Sequence, residues 1–193
     1  MFETPCILFA GGKSSRMGED KALLPFGGFD TLTEYQYSKL TKIFHHVYIS
    51  TKKPTQFQFC AEFLEDMSEF KGTYAPTVGF ISAFEQLQCE KIFVLSVDTP
   101  FVTKDEIVKI LSCDTLKADA TIAQTPSGIQ TMCGVYHSSL LKTFRAMHTI
   151  KNYKLQSMLK ESNTHYCFFD EEKTFLNLNH PNEYQEALDL LNS

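Results

Sequence analysis

An apolar run, Cys6 to Phe9, passes through Ala10 straight into a glycine pair, Gly11-Gly12. Four apolar residues closed off by glycines have the length of a buried strand, not of a helix. A loop of small and hydroxylated residues follows, with Lys13, Arg16 and Lys21 as its basic side chains. A strand that opens onto such a loop is suited to a polyphosphate. Glycine lets the backbone come close to phosphate oxygens and take up positive φ. Consecutive amides form an anion-binding nest, and Arg and Lys add charge-assisted hydrogen bonds.

The rest of the chain alternates between two periodicities. Strands are expected over 6–9, 47–50, 63–65, 91–97, 120–123, 131–136 and 165–168. Helices are expected over 32–44, 78–87, 139–147, 153–160 and 181–191, and through Leu111 after a capping box that begins at Thr103 and closes at Glu106. Pro181 suits the first turn of the last of these. Strands alternating with helices predict an α/β fold of three layers, a mostly parallel central sheet covered on both faces. Ligands of such sheets bind beyond the carboxyl ends of the strands. No repeat or linker divides the 193 residues, which fit one domain.

Composition removes several classes. The net charge of −5 argues against general nucleic-acid binding. No apolar run approaches the roughly 20 residues of a membrane span. No basic segment with a following apolar stretch precedes the first strand, so no secretory leader is expected. The six cysteines contain no C-x-x-C pair, Cys6 and Cys133 lie in strand-like apolar context, and a reducing cytoplasm is expected. His45-His46 reads as a polar helix-to-strand junction.

Two better-known phosphate loops fit badly. The spacing G-x-G-x-x-G is absent. Gly12-Lys13-Ser14 matches the end of G-x-x-x-x-G-K-[ST], but the first glycine would fall at Ile7, inside the strand. The segment Leu8 to Lys21, with its Gly-Gly pair followed by Arg16-Met17-Gly18-Glu19-Asp20-Lys21, instead resembles the signature of Rossmann-like nucleotidyltransferases. Among them it is most similar to the molybdenum cofactor guanylyltransferases, and the cytidylyl and sugar-phosphate relatives more often carry Ala-Gly and Pro-Lys there.

Later motifs extend the resemblance to Pro181. Asp98-Thr99-Pro100 follows an apolar strand, so its carboxylate faces the ligand edge. The resemblance implies that Asp98 is a Mg²⁺ ligand, and a Mg²⁺ bridging phosphates uses one or two protein carboxylates. Asp66, after the third strand, matches an acid associated with nucleotide and metal. Alternation turns Glu65 to the other side, and Asp66 is placed to accept from guanine N1 or N2. Ala75-Pro76-Thr77-Val78-Gly79 resembles a pocket-lining segment, with Gly79 the position that carries over best. Thr131 matches a strand on the acceptor side of the cleft. Asn177-Leu178-Asn179 resembles a paired-asparagine motif, and in a strand the two amides share a face.

The resemblance thus implies GMP transfer from GTP to the terminal phosphate of a molybdopterin-type cofactor, with Mg²⁺. Nucleotide contacts are expected from Leu8, Phe9, Ala10, Gly11, Gly12, Lys13, Ser14, Arg16, Lys21, Asp66, Gly79 and Asp98. Catalysis is expected from Arg16, Lys21 and Asp98, and acceptor binding from Thr131, Asn177 and Asn179. A transient molybdopterin-delivery protein is an expected partner. The same motifs leave open a CTP-using cytidylyltransferase, a sugar-1-phosphate nucleotidyltransferase and a non-catalytic relative that holds nucleotide or pterin.

Overall fold

The structure, a computed structural model, describes residues 1–11 and 20–191. Its strands are β1 (Cys6–Phe9), β2 (Val47–Ser50), β3 (Glu62–Leu64), β4 (Lys91–Ser96), β5 (Ala120–Thr125), β6 (Gly128–His137) and β7 (Thr164–Phe168). Its helices are α1 (Leu32–Leu40), α2 (Pro76–Leu87), α3 (Lys104–Cys113), α4 (Leu141–Thr149), α5 (Leu155–Glu161) and α6 (Pro181–Leu191). The strands form one sheet in the order β3-β2-β1-β4-β6-β5-β7. Among the described residues β6 alone runs antiparallel to its neighbours, β4 and β5.

Alternation along β1 explains the layers. Cys6 and Leu8 point to one face and join a core with Leu32 and Leu40 of α1, Ile107 and Ile110 of α3 and Ala187 of α6. Ile7 and Phe9 point to the other and join Phe80 and Phe84 of α2, Phe144 of α4 and Leu159 of α5. A strand buried on both faces cannot alternate apolar with polar, which is why Cys6–Phe9 reads as a continuous apolar run. Each fully buried large apolar side chain contributes roughly 1.5–3 kcal/mol.

The order of the strands locates the site. From β1 the chain steps outward to β2 and β3, both parallel to it. It then returns through α2 and enters β4 on the opposite side of β1. The order reverses between β1 and β4, and a crevice opens there at their carboxyl ends. The residues that follow those two strands are Ala10-Gly11 and Val97-Asp98.

Several boundaries differ from the sequence expectation. Helix α1 stops at Leu40, not at 44, because Lys42 and Ile43 donate three residues back, to Lys39 and Leu40, in a tightened last turn. A 3-10 turn, Ser138–Leu140, precedes α4, so that helix starts at Leu141. Strand β3 ends at Leu64 and leaves Glu65 and Asp66 in the loop, where strand alternation does not govern them. Asn177 and Asn179 are not in a strand either: among the described residues 176–179 pairs with no strand and is fixed by single contacts. Strands β5 and β6 are longer than expected, because Gln124 pairs with Ile129 and Thr125 with Gly128 across a tight turn that ends at Gly128, φ +138°. The capping box at α3 forms as expected, with Thr103 N–H donating to Glu106 Oε2 at 2.8 Å.

Candidate active site

The loop after β1 re-enters the described structure at Asp20. The Asp20 carboxylate accepts from Ala22 N–H at 3.2 Å and caps a 3-10 turn, Lys21–Leu23. That turn aims Lys21 back over the sheet edge. Its ammonium donates to Asp98 Oδ2 at 2.5 Å, to Asn179 Oδ1 at 3.1 Å and to the Leu178 carbonyl oxygen at 3.3 Å. Three segments far apart in sequence therefore meet at one cation, and each has its own anchor.

Asp98 is held by the backbone around it. Thr99 Oγ1 donates to the Ser96 carbonyl, which tightens the turn after β4. From below, Gln36 of α1 donates to the carbonyl oxygen of Thr99 at 2.9 Å, and Lys39 to that of Pro100 at 2.6 Å. Burial pushes the Lys39 ammonium down to about 8. Leu178 N–H donates to the Asp98 carbonyl oxygen at 2.9 Å, which sews the C-terminal segment to the same turn. The Asn179 and His180 amides both donate to Glu183 Oε2, so α6 caps itself and fixes Asn179. Asn177 turns away, its amide donating to the Phe175 carbonyl. The paired asparagines thus reach different partners.

Asp98 is 14 % exposed. Lys21 takes its Oδ2, while its Oδ1 is buried with no hydrogen-bond partner among the described residues. A buried carboxylate oxygen without a donor is costly, and a hard cation is the ligand that satisfies it. The site thus fits a divalent metal held by Asp98. The described residues contain no cluster of three His, Cys, Asp or Glu, so Asp98 is the residue that would hold such an ion.

Beside this triad lies a cavity of about 270 Å³. Its floor is apolar, from Phe9, Pro76, Gly79 and Met132, and its polar wall is Ser50, Lys52 and Asp66 with Tyr74. Gly79 is there for closeness: a Cβ on it would lie 2.5 Å from Phe9 Cε1 and 3.0 Å from Ser50 Oγ. Without it α2 could not pack against the end of β1. Gly11 is different. It is exposed, its φ is not left-handed, and the nearest described atom to a Cβ there is the Ser50 carbonyl oxygen at 3.9 Å. Among the described residues nothing packs closely enough to demand glycine at 11.

Asp66 lines this cavity and pairs with Lys52 at 3.3 Å. Burial raises its pKa, and the Lys52 charge and hydrogen bond oppose that rise. Met67 N–H donates to Ser82 Oγ of α2, which fixes the loop that carries Asp66. Glu65 is exposed. A second hollow, lined by Ala10, Gly11, Asp20, Thr51 and Lys52, continues the cavity along the loop after β1.

Other expected residues sit elsewhere. Leu8 is fully buried in the core under α1 and α3, so its side chain does not reach a nucleotide. Thr131 lies on β6 with its carbonyl held by Tyr136 Oη, and it is the next residue, Met132, that faces the cavity. Gly12, Lys13, Ser14 and Arg16 lie outside the described residues. Sequence reasoning passed over Lys52, Tyr74 and Met132. The signal for Lys52 was its place, two residues past the end of β2, at the carboxyl edge of the sheet.

The chain is similar to known proteins in both sequence and fold. Residues 6–166 match the family model described as the MobA-like NTP transferase domain. The chain is 36% identical over 184 residues to the molybdenum cofactor guanylyltransferase of Campylobacter jejuni, covering 95% of each chain. It is 35% identical to that of Helicobacter pylori strain J99, covering 97% of this chain and 89% of the other. In fold it is similar to molybdopterin-guanine dinucleotide biosynthesis protein A from Archaeoglobus fulgidus, with a TM-score of 0.82 at 19% identity over 98% of this chain and 99% of the other.

Proposed function

Because this chain belongs to the MobA-like NTP transferase family, we propose that it transfers GMP from GTP to the terminal phosphate of the molybdenum–molybdopterin cofactor. The acceptor phosphate oxygen forms a bond to the α-phosphorus, the bond from that phosphorus to the α–β bridging oxygen breaks, and pyrophosphate leaves. The product is the molybdopterin guanine dinucleotide cofactor. The observation that carries this reading is the meeting of Lys21, Asp98 and Asn179 at the reversal point of the sheet.

An acceptor phosphate is already anionic at neutral pH and needs no strong general base. Catalysis is then positioning plus stabilisation of charge. The Gly11 backbone and the loop after it cradle the β- and γ-phosphates. Lys21, released from Asp98 Oδ2, follows the charge that develops on the leaving pyrophosphate, and Arg16 is its partner in that role. Asp98 Oδ1 is the oxygen that would hold Mg²⁺, and the ion would supply neutralisation of the triphosphate oxygens. Asn179 keeps the Lys21 ammonium near the reacting phosphate. Asp66 accepts from guanine N1–H or N2–H in the neighbouring cavity. A net charge of −5 opposes two polyanionic substrates, so this local positive cluster has to overcome it.

The whole chain acts as one domain in this reading, in a reducing cytoplasm that suits its six free thiols, and it receives its acceptor from a transient delivery protein. No described helix is long and apolar enough to cross a membrane. The test is to incubate the protein with GTP, Mg²⁺ and molybdenum–molybdopterin. Pyrophosphate should appear only when the acceptor is present, stop on chelation of the metal and resume when Mg²⁺ is restored. Nucleotide binding without pyrophosphate under any of these conditions would make the chain a binding module.

A further inference from the structure

Lys52 belongs to both hollows of the site, the cavity floored by Phe9 and Gly79 and the one that runs along the loop after β1. Its ammonium lies 3.3 Å from Asp66 Oδ2 and 3.9 Å above the Tyr74 ring, and donates to the Thr73 carbonyl oxygen. The side chain is 29 % exposed. It is thus a fixed donor beside a fixed acceptor, at the polar wall of an otherwise apolar pocket. An ammonium offers three donors, and its contacts with Asp66 and Thr73 still leave one to point into the cavity.

We propose that Lys52 is the specificity-determining residue that reads the purine O6, acting as one half of a donor–acceptor pair with Asp66. This rests on the reading of the cavity as the GTP base site. Guanine shows an acceptor, O6, beside two donors, N1–H and N2–H₂. Lys52 matches the first and the Asp66 carboxylate the second. Adenine and cytosine show the reverse order, an amine donor at N6 or N4 and a ring-nitrogen acceptor beside it. Against either base, Lys52 would face a donor and Asp66 a lone pair. That is rejection by unmatched polar groups, which discriminates more strongly than shape does. Uracil offers the right order but only one ring, so it reaches the wall poorly. The neighbouring ammonium opposes the rise that burial causes in the Asp66 pKa, and an ionised carboxylate is an acceptor only. Tyr74, lying over Lys52, limits where the ammonium can go.

The test uses equilibrium binding to the purified protein in Mg²⁺ without acceptor, so its outcome does not depend on turnover. The ligands are GTP, 6-thio-GTP, in which sulfur replaces O6 as a poor acceptor, and ITP, which lacks the N2 amine. The natural protein should bind GTP about 10-fold or more tightly over 6-thio-GTP, the scale of one hydrogen bond to a charged group. Lys52→Met should collapse that ratio towards one and leave the GTP-to-ITP ratio unchanged. Asp66→Asn should collapse the GTP-to-ITP ratio. Lys52→Arg, which keeps a donor, should retain most of the preference for O6 and guards against a merely misfolded variant. The proposal is overturned if Lys52→Met weakens all three nucleotides by the same factor, which would make Lys52 a phosphate or structural residue, or if its 6-thio-GTP ratio stays at the natural value. A protein that binds GTP with this pattern but releases no pyrophosphate with the acceptor would contradict the transfer reaction while leaving the base reader standing.

Discussion

At the scale of the residue, the site depends on one carboxylate and two glycines that act in opposite ways. Asp98 has one oxygen engaged by Lys21 and one buried without a donor. Asp98→Ala should leave the far-ultraviolet circular dichroism intact, because α1 and Leu178 hold that turn through backbone carbonyls. It should slow Mg²⁺-dependent turnover roughly 10²-fold or more. Near-normal turnover in the folded variant would remove Asp98 from the mechanism. Gly11 and Gly79 separate ligand space from packing space. Gly11→Val should fold with natural stability, since among the described residues its Cβ meets nothing closer than 3.9 Å, yet bind GTP poorly by calorimetry. Gly79→Ala should do both kinds of damage. Its Cβ drives into the Phe9 ring, at a cost of about 1–3 kcal/mol for overpacking, and pushes that ring towards the base cavity. A thermal melt and a GTP titration on each variant check the contrast. Asp98 and Lys21 were legible in the sequence as motifs. Their mutual hydrogen bond was not, because 77 positions separate them and only the fold closes that distance. Lys52 was missed because two lysines after a strand look like ordinary solvated punctuation; the cavity wall becomes visible only when β3 and α2 are placed beside β2.

At the scale of the element, one buried carboxylate ties three neighbouring strands of the sheet to α3. Asp114 ends α3 with its side chain 1 % exposed. It accepts from Lys91 of β4 at 2.7 Å, from His137 of β6 at 2.9 Å and from Thr121 of β5 at 3.0 Å. Burial alone would raise its pKa, but the hydrogen bonds from His137, Lys91 and Thr121 outweigh that and hold it below the ordinary aspartate value. A carboxyl whose pKa is depressed by folding adds stability above its unfolded value of about 4, and that stability is lost as pH falls through the folded value. Denaturant unfolding followed from pH 7 to below pH 4 should therefore show a loss on the acid side that Asp114→Asn largely abolishes, while being less stable than the natural protein at pH 7. Equal acid slopes in the two proteins would place the titrating group elsewhere. The elements themselves were mostly legible. Apolar runs marked β1, β2 and β4, and the capping box marked α3, because burial on two faces and orphan amides at a helix start impose those residues. The long β5–β6 pair was read short, since its outer half is polar and held by cross-strand bonds that leave no apolar signature. The asparagine motif was read as a strand for the opposite reason: alternation without a partner strand is only an extended segment.

At the scale of the whole molecule, what matters is that the strand order reverses between β1 and β4. The reversal puts Gly11 after β1, the Asp98 turn and the cavity floored by Phe9 and Gly79 on one rim, and the terminal segment before α6 closes onto it through Leu178 and Asn179. Parallel strands with helical crossovers were legible from periodicity alone. The antiparallel β6 was not, because direction leaves no mark on a strand's composition. In the proposed reaction this rim joins guanylate, and not another nucleotide, to a molybdopterin phosphate. The direct measurement is a competition: GTP and CTP together in one reaction with Mg²⁺ and molybdenum–molybdopterin, with the two dinucleotide cofactors separated and counted. The ratio of products gives the ratio of specificity constants. Unmatched buried polar groups cost roughly 1–3 kcal/mol each, or about 5- to 150-fold, so the guanine product should exceed the cytosine product by at least that lower factor. A ratio that favours CTP would contradict the claim and make the chain a cytidylyltransferase built on the same rim.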